Sequence, residues 1–277
     1  METLRDNERE DVEIQLLLEG IFRCYGFDFR QYAPGSLKRR IWYCAREQGL
    51  TTISGLLEKV LHDPHCMERL LLALSISVTA MFRDPGFYLA FRNTVVPWLR
   101  DQPFLRIWHA GCSTGEEAYS MAILLKEEGL YEKSRIYATD MSEVVLSKAQ
   151  EGIFPLASMR EHTTNYLTAG GKGSFAEFYT ARYDHAIVHA DLRRNILFAR
   201  HNLVTDASFN EFHVILCRNV MIYFNRPLQT HVHRLLYESL PVSGVLGLGM
   251  KESLMFSPHE ADYEKLDGRA RLYRKVR

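Results

Sequence analysis

Residues 104–119 read Phe-Leu-Arg-Ile-Trp-His-Ala-Gly-Cys-Ser-Thr-Gly-Glu-Glu-Ala-Tyr. Phe104 to Trp108 is a short apolar run ending in His109-Ala110-Gly111, the pattern of a buried strand. Gly115 follows four residues after Gly111, and Glu116 to Gly129 then carries helical spacing. Tyr119, Met121, Ala122, Leu124 and Leu125 face inward, and Gly129 serves as the C-cap. Arg135 to Thr139 repeats the strand signal and ends at Asp140, and Ser142 caps a helix through Val144, Val145, Leu146 and Ala149. Further on, Asn195 to Ala199 and His213 to Cys217 read as strands, Leu228 to Leu240 as a helix and Val245 to Met250 as a strand. Asp267-Gly268 reads as a hairpin turn. Strands alternating with helices predict an α/β fold with a parallel sheet, right-handed crossovers and an antiparallel edge.

Outward from this core the rhythm changes twice. Residues about 155–192 hold Gly170-Gly171-Lys172-Gly173, then Phe178 to Tyr183 and Ala186 to His189, which predicts a small β-rich insertion. The first hundred residues read as helices. Val12, Ile14, Leu16, Leu17, Leu18, Ile21 and Phe22 mark one apolar face ending near Gly26. Ser36 is placed to cap a second helix, and Leu56 to Leu61 and Met67 to Phe82 predict two more. Asp84 to Trp98 reads as a bridging helix. The expected division is a helical domain with its linker helix over 1–98 and a sheet domain over 99–277.

Composition narrows the classes. The chain has 277 residues, enough for one large or two ordinary domains, and 47% hydrophobic with 25% charged residues is ordinary globular usage. Lys+Arg and Asp+Glu are both 34, so a net charge of zero argues against a chain-wide grip on nucleic acid or an anionic membrane. The longest apolar run, Leu70 to Phe82, falls short of the roughly twenty residues a bilayer needs. The charged N-terminus has no apolar signal core. Five scattered cysteines without a C-x-x-C pair read as reduced thiols in a cytoplasmic protein. His185 and His189 sit on a strand and His231 and His233 point different ways on a helix, so no metal site is expected.

Three strand ends carry candidate chemistry, at the place where ligands bind in open α/β sheets. Gly111 to Glu117 lets the backbone approach a ligand closely. Its acids and the missing P-loop Lys suit a cationic or hydroxyl-bearing ligand rather than a phosphate. The plain alternative is a turn whose acids stabilise a helix start. Asp140 can accept from both hydroxyls of a ribose, or merely cap the following turn. Cys217 to Phe224 places Arg218 and Asn219 beyond a strand, and Tyr223 read alone is a half-buried core tyrosine.

Taken in order, Val78-Thr-Ala-Met-Phe-Arg-Asp-Pro85, Ala110-Gly-Cys-Ser-Thr-Gly-Glu-Glu-Ala-Tyr-Ser120, Tyr137-Ala-Thr-Asp140, His201-Asn-Leu203 and Cys217-Arg-Asn-Val-Met-Ile-Tyr-Phe224 resemble the CheR family of chemotaxis-receptor glutamate methyltransferases. The likeness covers roughly residues 10–275. It implies a doubly wound, Rossmann-like methyltransferase sheet, a small helical N-terminal domain and a small β-rich insertion. It implies S-adenosyl-L-methionine as cofactor and S-adenosyl-L-homocysteine as product. At matching positions the family binds this cofactor through Ser77, Thr79, Arg83, Gly111, Glu117, Asp140, Asn202, Leu203, Arg218 and Asn219, and Arg83 and Tyr223 flank the transferred methyl. Ser77 stands where the family often has Asn, and Ala118 where it often has Pro. The implied partner is a protein substrate, a methyl-accepting chemotaxis receptor, with no nucleic acid, no membrane insertion and a single chain as the working unit. Lys38, Arg39, Arg40 and Arg46 read either as a solvated helix face or as a dock for an acidic receptor bundle. Two other classes fit the sequence less well. A non-catalytic adenosyl-binding module would not need Arg83, Glu117, Asp140 and Tyr223 together. A nicotinamide dehydrogenase would need the G-x-G-x-x-G spacing that Gly111 to Gly115 lacks.

Overall fold

The computed structural model describes residues 6–74 and 79–277. The chain forms two compact units, one of Met1–Ile76 with Tyr223–Gln229, the other of Ser77–Ile222 with Thr230–Arg277.

The first unit is helical, with α1 (Asp6–Tyr25), α2 (Pro34–Glu47), α3 (Ile53–His62) and α4 (Pro64–Leu74). Helix α1 packs on α3, and α4 packs on both α2 and α3. Leu17, Ile21, Ile41, Leu56, Val60 and Leu70 are fully buried among them. Each such side chain contributes roughly 1.5–3 kcal/mol. Helix α2 starts two residues before Ser36, because Pro34 in the first turn has no N–H to leave unsatisfied. Ser36 is therefore not a cap, and its hydroxyl accepts from Arg40 Nη2 at 2.8 Å. The Tyr223 segment closes this unit. Ala33 N–H donates to the Tyr223 carbonyl (2.8 Å) and Asn225 N–H to the Gln31 carbonyl (2.9 Å). Tyr32 and Phe224 meet ring edge to face at 5.0 Å.

The helix expected over Met67 to Phe82 does not reach Phe82. Thr79 to Asp84 is non-helical, with Phe82 (φ 53°) and Asp84 (φ 56°) in the left-handed region, which a helix cannot contain. The single bridging helix is two, α5 (Pro85–Thr94) and α6 (Val96–Arg100), both in the second unit. They part at Val95, just before Pro97, which has no N–H to continue the ladder.

The remaining elements are β1 (Leu105–Ala110), α7 (Glu116–Glu127), β2 (Ser134–Asp140), α8 (Glu143–Glu151), β3 (Ile153–Pro155), α9 (Met159–Thr168), β4 (Tyr179–Arg182), β5 (His185–Val188), α10 (Ala190–Arg193), β6 (Ile196–Arg200), β7 (Val214–Cys217), α11 (Arg226–Glu238), β8 (Val245–Leu248), β9 (Tyr263–Asp267) and β10 (Leu272–Lys275), all in the second unit except the start of α11 through Gln229. Seven strands form one sheet in the order β6-β2-β1-β7-β8-β10-β9. The first five are parallel, and β10 pairs antiparallel with both neighbours. This is the Rossmann-like methyltransferase architecture. Strands β7 and β8 are buried at every position, hence their unbroken apolar sequence. The chain builds outward from β1 to β2 and β6, then returns to β7 on the other side of β1. That reversal is the switch point where such sheets bind ligands.

The insertion is a three-stranded antiparallel sheet, β3-β5-β4, with a helix, α9, between β3 and β4 that its Thr-rich sequence did not announce. The glycine run has a packing reason. A Cβ at Gly171 would lie 2.3 Å from the Tyr166 ring. The Tyr166 hydroxyl in turn donates to Glu127 Oε1 at 2.5 Å, tying the insertion to α7.

Candidate cofactor and active site

Five neighbouring parallel strands present their carboxyl ends side by side, and each carries a candidate group. Gly111 follows β1, Asp140 ends β2, Asn202 lies just past β6, Arg218 follows β7 and Gly249 follows β8.

The turn after β1 needs its glycines. Gly111 has φ 80°, and a Cβ there would stand 2.6 Å from Val220, two residues after Arg218. Gly115 has φ 94°, and its Cβ would meet Ala149 at 3.0 Å. Ser113 between them is also left-handed, at φ 51°. The loop after β1 is thereby pressed onto the loop after β7 and onto α8. Among the described residues the buried Ser113 hydroxyl has no hydrogen-bond partner.

Asp140 holds this turn in place. Its Oδ2 accepts from Ser113 N–H (3.0 Å) and its Oδ1 from Ser142 N–H (3.1 Å). Ser142 stands at the N-cap of α8 but makes no side-chain cap bond, so the capping expected of its hydroxyl is not made. Burial raises the Asp140 pKa, against the backbone donors that favour the anion. A carboxylate has about four lone-pair sites, which leaves capacity for a ligand hydroxyl.

Arg218 and Glu117 form one buried network rather than two separate ligand contacts. Arg218 Nη1 donates to Glu117 Oε2 (2.8 Å), and Nη2 donates to Asp84 Oδ2 (3.0 Å) and to the Arg83 carbonyl (3.1 Å). Its guanidinium lies 4.1 Å over the Phe87 ring. Glu117 Oε1 meets His109 Nδ1 at 2.9 Å. Burial works against the Glu117 anion, yet Arg218 and His109 outweigh it and hold the carboxyl below its usual range. The same balance, reversed in sign, keeps Arg218 charged. The left-handed turn at Phe82 and Asp84 is what delivers Asp84 and the Arg83 carbonyl to Arg218. It is pinned by Phe82 N–H donating to Ser120 Oγ at 2.8 Å.

Sequence reasoning missed Glu252. Its buried carboxylate accepts four backbone N–H groups, from Asn219 (2.9 Å), Val220 (2.8 Å), Met221 (2.8 Å) and Gly249 (2.7 Å). It holds Asn219 in its left-handed conformation (φ 61°) and shapes the loop after β7. Burial raises its pKa, and the four N–H groups oppose that rise. The available signal was a glycine closing a strand with an acid three residues later.

Asn202 and Leu203 are buried beside the end of β2, where His201 N–H donates to the Asp140 carbonyl at 3.1 Å. Asn202 Oδ1 accepts from Val204 N–H at 3.0 Å, so half of its amide serves its own turn. Thr79 and Arg83 are half-buried in the segment leading into α5. Ser77 lies outside the described residues. Tyr223 ends a 3-10 turn, Met221–Tyr223, and is counted with the helical unit.

Family comparison matches residues 77–270 to the CheR methyltransferase SAM-binding domain and residues 12–75 to the CheR methyltransferase all-alpha domain. The chain belongs to the CheR methyltransferase family. Among its relatives, "Putative methyltransferase Cher3" of Pseudomonas putida is 51% identical over 265 residues, 96% of this chain and 97% of that protein. The "Chemotaxis protein methyltransferase" of Listeria innocua is 29% identical over 243 residues, 87% of this chain and 88% of that one. "Chemotaxis protein methyltransferase 2" of Pseudomonas aeruginosa is 29% identical over 258 residues, 91% and 89% respectively.

This CheR-family enzyme is an S-adenosylmethionine-dependent methyltransferase, and its residues fit that cofactor. Asp140 keeps lone-pair capacity beside the turn after β1, and among the described residues the buried Ser113 hydroxyl on that turn has no partner, so the turn offers polar groups to a hydroxyl-bearing ligand. Among the described residues no group of three or more His, Cys, Asp or Glu is placed to hold a metal ion. Among them also, no helix is long and apolar enough to cross a membrane.

Proposed function

We propose that the chain methylates glutamate side chains on chemotaxis receptors in the cytoplasm. The observation that carries this reading is the set of four motif groups at four adjacent strand ends, those of β6, β2, β1 and β7, built around the Gly111 turn and Asp140. The protein substrate follows from relatives named as chemotaxis protein methyltransferases. Nothing favours a non-catalytic binding module.

In this reading Asp140 accepts from the ribose hydroxyls, and the backbone of the Gly111 turn borders the cofactor. Asn202, Leu203, Thr79, Arg83, Glu117, Arg218 and Asn219 border the rest of the cofactor. Glu117 and Arg218 act there as a pair, since each is already bonded to the other. S-adenosylmethionine, when bound, supplies an electrophilic methyl on a sulfonium sulfur. The attacking glutamate has an ordinary pKa of about 4.3 and is ionised at pH 7, so no general base is required. The enzyme's task is positioning. Tyr223 donates a hydrogen bond to the carboxylate, and Arg83 offers a single cationic contact. A bidentate clamp would stabilise the ground-state charge that disappears in the transition state, and so slow the step.

The test incubates the protein with tritiated methyl donor and purified cytoplasmic fragments of chemotaxis receptors. Base-labile label on glutamate is expected, and label that resists base overturns the reading. Tyr223→Phe is expected to lower turnover with cofactor affinity nearly unchanged. A large loss of affinity would contradict its role.

A further inference from the structure

The basic run on α2 does not form a single face. Arg39 is exposed, Lys38 pairs with Glu10 at 2.7 Å, and Arg46 lies over the Trp42 ring. Arg40 is withdrawn into the helical unit, only 9% exposed. Its Nη1 donates to the Leu74 carbonyl and its Nη2 to Ser36 Oγ, both at 2.8 Å. Among the described residues no carboxylate pairs with it. A buried cation bonded only to neutral acceptors is expensive, and an apolar side chain would pack there at lower cost. What it faces is an aromatic ring: the guanidinium carbon lies 4.7 Å from the centroid of Tyr223. That spacing is within the range of a cation–π contact, which strengthens when both partners are desolvated. The Tyr223 backbone is held in the same unit by the Ala33 N–H. Ring and backbone are thus fixed by two different parts of one scaffold.

We infer that Arg40 is a positioning residue for Tyr223, aiming its phenol and, by placing a positive charge over the ring, making the hydroxyl a stronger hydrogen-bond donor. The inference deepens the proposed function and rests on its reading of Tyr223. It also separates Arg40 from receptor docking: a side chain this buried does not meet a partner, whereas Arg39 can.

The test is a double-mutant cycle with steady-state methylation of a purified receptor cytoplasmic fragment. Arg40→Met is expected to lower kcat about 10- to 100-fold, the span of ~1–3 kcal/mol, with KM for the fragment changed less than about threefold. In a Tyr223→Phe background the same change should cost less than about threefold, because the group it positions is gone. A raised KM with unchanged kcat, or an equal loss in both backgrounds, overturns the inference. Should Arg40→Met fail to fold, Arg40→Lys keeps the charge but loses the flat stacked face and one of the two anchoring bonds. With 3-fluorotyrosine at position 223, the ¹⁹F resonance and its titration are expected to shift in Arg40→Lys. A titration identical to wild type overturns the inference. Tyr223→Phe with wild-type kcat would instead overturn the catalytic reading of Tyr223, and the ¹⁹F readout would still report whether Arg40 holds the ring.

Discussion

Replacing Glu252 by Gln changes one oxygen to an amide nitrogen and leaves the side chain's shape alone. In the native protein Oε1 accepts from Val220 and Met221, and Oε2 from Asn219 and Gly249. Either orientation of the Gln amide turns an NH2 group toward two of these four donors. Each orphaned buried donor costs about 1–3 kcal/mol, so the substitution should cost about 2–6 kcal/mol in all. That is a large part of a typical stability of about 5–15 kcal/mol. The damage is also local: Asn219 loses what holds it left-handed, and Arg218 and Val220 sit on the same loop. Urea unfolding followed by tryptophan fluorescence measures the stability, and calorimetry with S-adenosylmethionine measures the binding. Glu264→Gln on the exposed side of β9 is the control, expected within about 0.5 kcal/mol. If Glu252→Gln matches that control in stability and binds cofactor like wild type, the clamp reasoning is wrong.

Three other predictions concern separate parts of the molecule. Gly111→Ala adds a Cβ at φ 80°, 2.6 Å from Val220. The left-handed conformation alone costs about 1–2 kcal/mol, so the variant should melt lower and bind cofactor more weakly; unchanged melting would refute the close approach. Asp140→Ala should weaken cofactor binding by about 1.5–3 kcal/mol, the scale of hydrogen bonds to a charged group, which is roughly 10- to 150-fold in Kd. An unchanged calorimetric Kd counts against the ribose assignment. His233 on α11 is pushed down to about 4 by burial, despite a backbone partner at Ser253. Unfolded, it titrates near 6.5, so its neutral form stabilises the fold fully above about pH 6.5, and that stability drains as pH falls toward 4. About 2 kcal/mol should be lost between pH 6.5 and 5 on this account. A His233→Gln variant whose stability falls as steeply as wild type over that range would refute it.

Much of the site was readable because it depends on local pattern. The apolar run before Gly111, the helix after it and the acid closing the next strand each report burial and turn geometry within a few residues. Their order along the chain was enough to place them at the ends of a parallel sheet. The helix α9 escaped because its Thr-rich sequence lacks a clear apolar face, and α9 is stabilised by packing against α5 instead. The run Lys38 to Arg46 looked like one basic face because periodicity does not reveal which cation will be withdrawn.

The sequence by itself determined the alternation that builds the sheet, the glycines of the turn after β1, and Asp140 at the end of β2. Tertiary structure alone decided how charges are shared among those ends. Glu117 and Arg218 are 101 residues apart and meet as a buried pair, and Glu252 reaches back 33 residues to organise the loop carrying Asn219. Arg40 finds the Tyr223 ring across more than half the chain. The reason is physical: hydropathy and turn propensity act between neighbours in sequence, whereas a buried charge or N–H group must be satisfied by whatever the fold brings within about 3 Å.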